Sequence, residues 1–120
     1  MTYADIKNAL ALIENPVDKL EFVMDLGKTL DVVPVDAKCT EIFGCASFVQ
    51  ICEKDGVFYG RADSVMVRGI VAIILAMVAG KSIDEIKQID LFGEFNSLNL
   101  NFGAGRLNGI QSMISFFKNL

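Results

Sequence analysis

Histidine is absent from this chain of 120 residues, and so is tryptophan. The first absence removes the side chain that most often shuttles protons near neutral pH, so any nucleophile here lacks its customary resident base. Positive charge is also short. Eleven Lys and Arg face fifteen Asp and Glu, giving a formal charge of −4 and a pI near 4.7. Phosphate backbones need a basic surface, so nucleic acid is not an expected partner. No apolar run is long enough to cross a bilayer. The most apolar stretch, "GIVAIILAMVAG" from Gly69 to Gly80, falls short of the roughly 20 residues that the hydrocarbon layer requires. It reads as a buried core helix, and no membrane association is expected. The start, Met1-Thr2-Tyr3-Ala4-Asp5, lacks the basic residues and apolar run of a secretory signal. Cysteine is sparse and odd in number. Cys39, Cys45 and Cys52 cannot all pair within one chain, which points to a reducing compartment with thiols kept free, and hence to the cytoplasm. Repeats, linkers and low-complexity segments are missing too.

What is present suits one compact globule. Hydrophobic residues make up 52% of the chain and charged residues 22%, too apolar for disorder. The length supports one core and not two, so residues 1–120 are expected to form a single domain.

Thr2 can cap a first helix with Asp5 in its first turn, and Ile6, Ala9, Leu10 and Ile13 then recur at helical spacing. Asn15-Pro16 reads as an N-cap followed by proline at the first helical position, opening a second helix to about Leu30. Its buried stripe is expected at Val17, Leu20, Val23 and Met24. After Pro34 the period changes. Glu41 to Phe43 reads as a short strand and Ser47 to Glu53 as a longer one, with Val49 and Ile51 on one face. Asp55-Gly56 is a strong hairpin turn, since both tolerate positive φ, and Val57 to Tyr59 returns. Gly44-Cys45-Ala46 is the bend between the first two strands. Asp63 or Ser64 can cap the long helix, which stops at Gly80. Ser82 to Glu85 has capping-box form, Leu91 to Phe95 is another short helical turn, and Arg106 to Lys118 is a final helix burying Leu107, Ile110, Met113, Ile114 and Phe117. This order gives an α+β fold: a small three-stranded antiparallel sheet packed against helices.

Cys45 is the residue that asks for chemistry. It follows glycine at a bend, where presentation is easier than packing. The competing reading is a small apolar side chain filling space, as most free cysteines do. The three cysteines are spaced C-x5-C-x6-C, with no histidine and no C-x2-C pair, which departs from common zinc patterns. No structural metal is expected. Gly103-Ala104-Gly105 before a helix lacks the Gly-Lys-Ser/Thr ending of a phosphate loop; helix initiation and close packing explain it better, and no nucleotide cofactor is implied.

Four short motifs, in order, carry a resemblance. They are Asp25-Leu26-Gly27-Lys28-Thr29-Leu30; Gly44-Cys45-Ala46-Ser47-Phe48-Val49; Gly60-Arg61-Ala62-Asp63 with Val67-Arg68-Gly69; and Arg106-Leu107-Asn108-Gly109 with Met113. Through them, over nearly the whole length, the chain resembles the SufE-type sulfur acceptors of iron–sulfur cluster assembly. The resemblance implies a SufE/IscU-like sandwich and a carrier role. A pyridoxal-phosphate-dependent cysteine desulfurase would hold a persulfide, Cys45 would take its outer sulfur, and a cluster scaffold would receive it. The same resemblance puts Arg106 near the sulfur-carrying loop, where it could favour the thiolate or grip a partner, and puts Asp63 at the loop border, where it could control release. No cofactor is implied, and the chain is expected as a monomer or weak homodimer.

The residues also allow blander readings: Arg106 as a solvated cation, Asp63 as a helix cap, and Arg68 reaching solvent or a carboxylate by its stem. Cys52 reads as structural. Cys39, placed before the first strand, has no role unless it resolves an oxidised Cys45. Two other functions stay open: a small thiol redox protein using Cys45 with Cys39, or a module that activates a desulfurase by docking alone. The carrier reading accounts for the missing base. A thiol with pKa near about 8.5 is only slightly ionised at neutrality, but sulfur exchange needs thiolate and access, and the partner can bring the activating groups.

Overall fold

The computed structural model describes all residues, 1–120. Helix α1, Tyr3–Leu12, starts where the first motif puts it. The Thr2 hydroxyl accepts from the Asp5 amide at 3.2 Å, and the Asp5 carboxylate accepts from the Thr2 amide at 3.0 Å, satisfying donors a helix start would otherwise leave bare. Asn15 caps α2, Pro16–Gly27, by accepting from the Val17 and Asp18 amides. Three antiparallel strands follow, β1 Lys38–Glu41, β2 Val49–Lys54 and β3 Val57–Ala62, in the order β1-β2-β3. Asp55 (φ 52°) and Gly56 (φ 81°) make the β2–β3 turn, as their positive φ allows. The rest is helical: α3 Val65–Val78, α4 Ile83–Gln88, α5 Leu91–Asn96 and α6 Ala104–Lys118. None of these helices is long and apolar enough to cross a membrane.

The architecture is the expected α+β fold. Val49 and Ile51 of the central strand are buried, and every element except β1 contributes to one cluster of 22 buried residues. Two contacts set the helix layer. Gly69 of α3 lets the main chain of α2 approach at Val23, so closely that any Cβ would collide with the Val23 carbonyl. Gly60 of β3 likewise leaves room for Val71 of α3. From the other end, Phe117 of α6 meets Phe58 of β3 edge-on, with ring centroids 5.1 Å apart.

Several expectations are corrected. The Gly69–Val23 crossing centres the α2 stripe on Val23, Leu26 and Gly27; Val17 overhangs it and is 61% exposed, and the helix ends at Gly27 rather than Leu30. The first strand is Lys38–Glu41, not Glu41–Phe43. Its pairing with β2 closes at the Ile42 amide to Val49 carbonyl bond of 2.9 Å, which pushes Phe43 out into the loop. Cys39 is therefore inside β1, directly opposite Cys52, and the two form a disulfide. Two of the three thiols expected to be free are not. Ser64, not Asp63, caps α3, accepting from the Val67 amide at 3.4 Å. The last helix begins at Ala104 and leaves Leu107 42% exposed. Arg68 donates from Nε to the Ala62 carbonyl at 2.7 Å, so its partner is backbone and not a carboxylate.

Candidate functional site

The segment between β1 and β2 is a loop over residues 42–48 with Cys45 at its centre. Gly44 has φ +95°, a conformation side chains disfavour, and it turns the chain back toward α6. The loop is tied at both ends by main chain: Ile42 to Val49 as above, and the Asp63 amide to the Phe48 carbonyl at 3.2 Å. Between these ties it rests on α6. A Cβ on Gly44 would lie 2.6 Å from the Ser112 hydroxyl, and one on Gly109 would lie 2.8 Å from Cys45 Sγ. Bare helix backbone at Gly109 thus meets Cys45, and bare loop backbone at Gly44 meets the Ser112 side chain.

Cys45 is half-buried and is the one free cysteine. Burial pushes its thiol up from the ordinary value, and burial is the only cause acting on it. Beside the thiol opens a cavity of about 230 Å³, whose lining includes Ser64 and Val67 of α3 and Arg106, Ile110 and Met113 of α6. Val67, Ile70, Ile110 and Met113 supply its apolar lining and Arg106 its one charged side chain. Phe43 and Phe48 on the loop, Val65 at the start of α3 and Leu107 near the start of α6 leave apolar surface exposed on the segments that carry the site.

The structure brings Cys45 and Arg106 to one cavity. Arg106 is exposed and takes part in none of the three ion pairs, so its charge is uncommitted. Asp63 stands at the loop border, exposed, and is linked to it through its amide rather than its carboxylate. Cys39 is spent on Cys52, so it is not available to resolve Cys45. No group of three or more Cys, Asp or Glu side chains is placed to hold a metal ion. Sequence reasoning missed Gly109 and Ser112 as loop contacts. The one available signal was a glycine inside an otherwise helical pattern, which does not reveal what lies against it.

The site is thus a lone half-buried thiol on a loop of a small α+β domain, beside a cavity that an unpaired arginine helps to line. The model of the SufE family, described as an Fe-S metabolism associated domain, matches residues 4–120, and the chain belongs to that family. It is 34% identical to an uncharacterized SufE-like protein of Rhizobium meliloti (strain 1021), over 98% of this chain and 94% of that one. The sulfur acceptor protein CsdE of Escherichia coli (strain K12) is 28% identical, over 94% of this chain and 83% of that protein. The cysteine desulfuration protein SufE of Wigglesworthia glossinidia brevipalpis is 30% identical, over 94% and 84% respectively.

Proposed function

We propose that this protein is a sulfur acceptor of iron–sulfur metabolism, in which Cys45 takes sulfur from a cysteine desulfurase and delivers it to a cluster scaffold. The observation that carries the reading is the setting of Cys45: the sole free thiol, half-buried on a loop, with room beside it for an extra sulfur atom. The thiolate of Cys45 attacks the outer sulfur of the partner's persulfide. A new S–S bond forms on Cys45, the old one breaks, and the partner's cysteine leaves as thiolate and takes up the proton that Cys45 released. No net oxidation occurs. Emptying the partner's cysteine frees it for another turnover, which is how such an acceptor stimulates a desulfurase.

Resting Cys45 is poorly ionised, so activation falls to the docked partner. Release of the loop exposes the thiol, and the exposed apolar side chains around it, Phe43, Phe48 and Leu107, supply contact area. Arg106 grips an acidic group on the partner or favours the thiolate once the loop has moved. Asp63 controls that movement through its tie to Phe48. A cytoplasmic location is retained in this reading; exposed Cys39 leaves the disulfide open to thiol reductants there. Docking without transfer is the competing function.

Intact mass after incubation with a desulfurase, pyridoxal phosphate and cysteine separates the two. The carrier gains one sulfur, loses that gain in Cys45→Ser, and keeps it when Cys39→Ser and Cys52→Ala are combined. Stimulation of the desulfurase that survives Cys45→Ser in full would leave only the docking module. Arg106→Ala is expected to slow transfer while leaving the melting temperature within a degree or two, as surface substitutions usually do.

A further inference from the structure

We propose that Gly109 is a positioning residue that sets where Cys45 rests, acting as a side-chain-free seat on α6. Glycine inside a helix lowers helix stability relative to alanine, so a mid-helix glycine calls for a local reason. Helix α6 contains two glycines that differ in this respect. A Cβ on Gly105 would meet nothing within 4 Å, whereas one on Gly109 would meet Cys45 at three atoms: Sγ at 2.8 Å, Cα at 3.3 Å and Cβ at 3.4 Å. A methyl group at 109 forces one partner to move.

The helix is the fixed partner. Ile110, Met113, Ile114 and Phe117 bury α6 in the core, and their packing resists displacement. The loop is the partner that yields, because Phe43, Gly44 and Ala46 are exposed and its main-chain ties lie only at its ends. One turn along the same face, Ser112 touches Gly44, so the seat has two contacts, one under the glycine and one under the thiol. Gly109 holds the thiol half-buried and slow to react until something lifts the loop. The inference takes its purpose from the carrier reading, since a sheltered sulfur is worth keeping only if it is cargo.

Alkylation by iodoacetamide in the absence of any desulfurase tests the seat. With the Cys39–Cys52 bond intact, uptake reports Cys45 alone. Gly109→Ala is expected to raise the rate at pH 7.5 severalfold, because a lifted loop opens access to the sulfur and relieves the burial that disfavours its thiolate. The midpoint of the rate–pH profile should move down toward that of an ordinary thiol. The melting temperature should hold or rise, because alanine is the better helix former. Gly105→Ala should share the thermal effect and leave rate and midpoint alone. Ser112→Val pushes Gly44 from the next turn and should move rate and midpoint in the same sense as Gly109→Ala. An unchanged profile in Gly109→Ala, an equal change in Gly105→Ala, or loss of the folded state in Gly109→Ala would each overturn the proposal. None of these readings depends on sulfur uptake: failure of wild-type protein to take sulfur would sink the carrier reading and leave the seat standing.

Discussion

Burial raises the Cys45 thiol, and that has a thermodynamic counterpart. The folded state holds the proton more tightly than the unfolded chain does, so the group's contribution is fully present below the unfolded thiol's pKa. It is lost as pH rises through the raised folded value. The stability difference between wild type and Cys45→Ala should therefore shift against wild type between neutral and strongly alkaline pH, as read by urea titration at each pH. A constant difference would show that the thiol is not sheltered. Glu94 behaves in the opposite sense. The hydrogen bond from the Tyr3 hydroxyl, at 2.7 Å, and then the Lys7 ammonium hold its carboxyl below the usual range. Its contribution is present above the unfolded carboxyl's pKa and is lost as pH falls through the lower folded value. Glu94→Gln should flatten that acid limb. At this scale the sequence made the bend that carries Cys45 legible, because glycine at a turn between two strands needs little tertiary information. The opposition of Gly109 to Cys45 was hidden, because residues 64 positions apart meet only once the whole chain has folded.

Strand β1 shows how an element can be misjudged by its neighbours. All four of its residues are exposed and none joins the buried cluster. Without an apolar face it lacks the alternation that marks a strand, and the apolar Ile42 and Phe43 drew the expected strand two to three residues too far along. Once the register slipped, the pairing of Cys39 with Cys52 could not be foreseen. The correct register leaves β1 held by ladder hydrogen bonds and by one covalent link. That link spans 13 positions, and closing a loop of this length in the unfolded chain corresponds to about 3 kcal/mol. Reduction should lower unfolding free energy by roughly that much. It should also speed amide exchange in β1 while leaving α3 protected. Equal protection of β1 in both redox states would show that the link contributes nothing there. The capping box at Ser82 and the cap at Thr2, by contrast, were readable, since a cap is made from residues three apart; only the return bond from the Thr2 amide to Asp5 went unread.

Across the molecule, helix order, strand order and the inward faces followed from periodicity and turn chemistry. What periodicity could not supply was the depth of approach between layers, which fixed the α2 stripe and left Val17 outside. The Gly69–Val23 contact decides that depth. Gly69→Ala should destabilise the protein by about 1–3 kcal/mol, the usual cost of overpacking a filled interior, although alanine is the better helix former. A neutral result by thermal melting would mean that α2 and α3 separate more freely than their contact suggests.

The cross-strand bond between Cys39 and Cys52 also has a consequence for damage. An oxidant meeting the native molecule finds a single free thiol, and its sulfur is the same atom that is proposed to bear the cargo. Injury and delivery therefore compete for one place, and repair has to arrive from outside the chain.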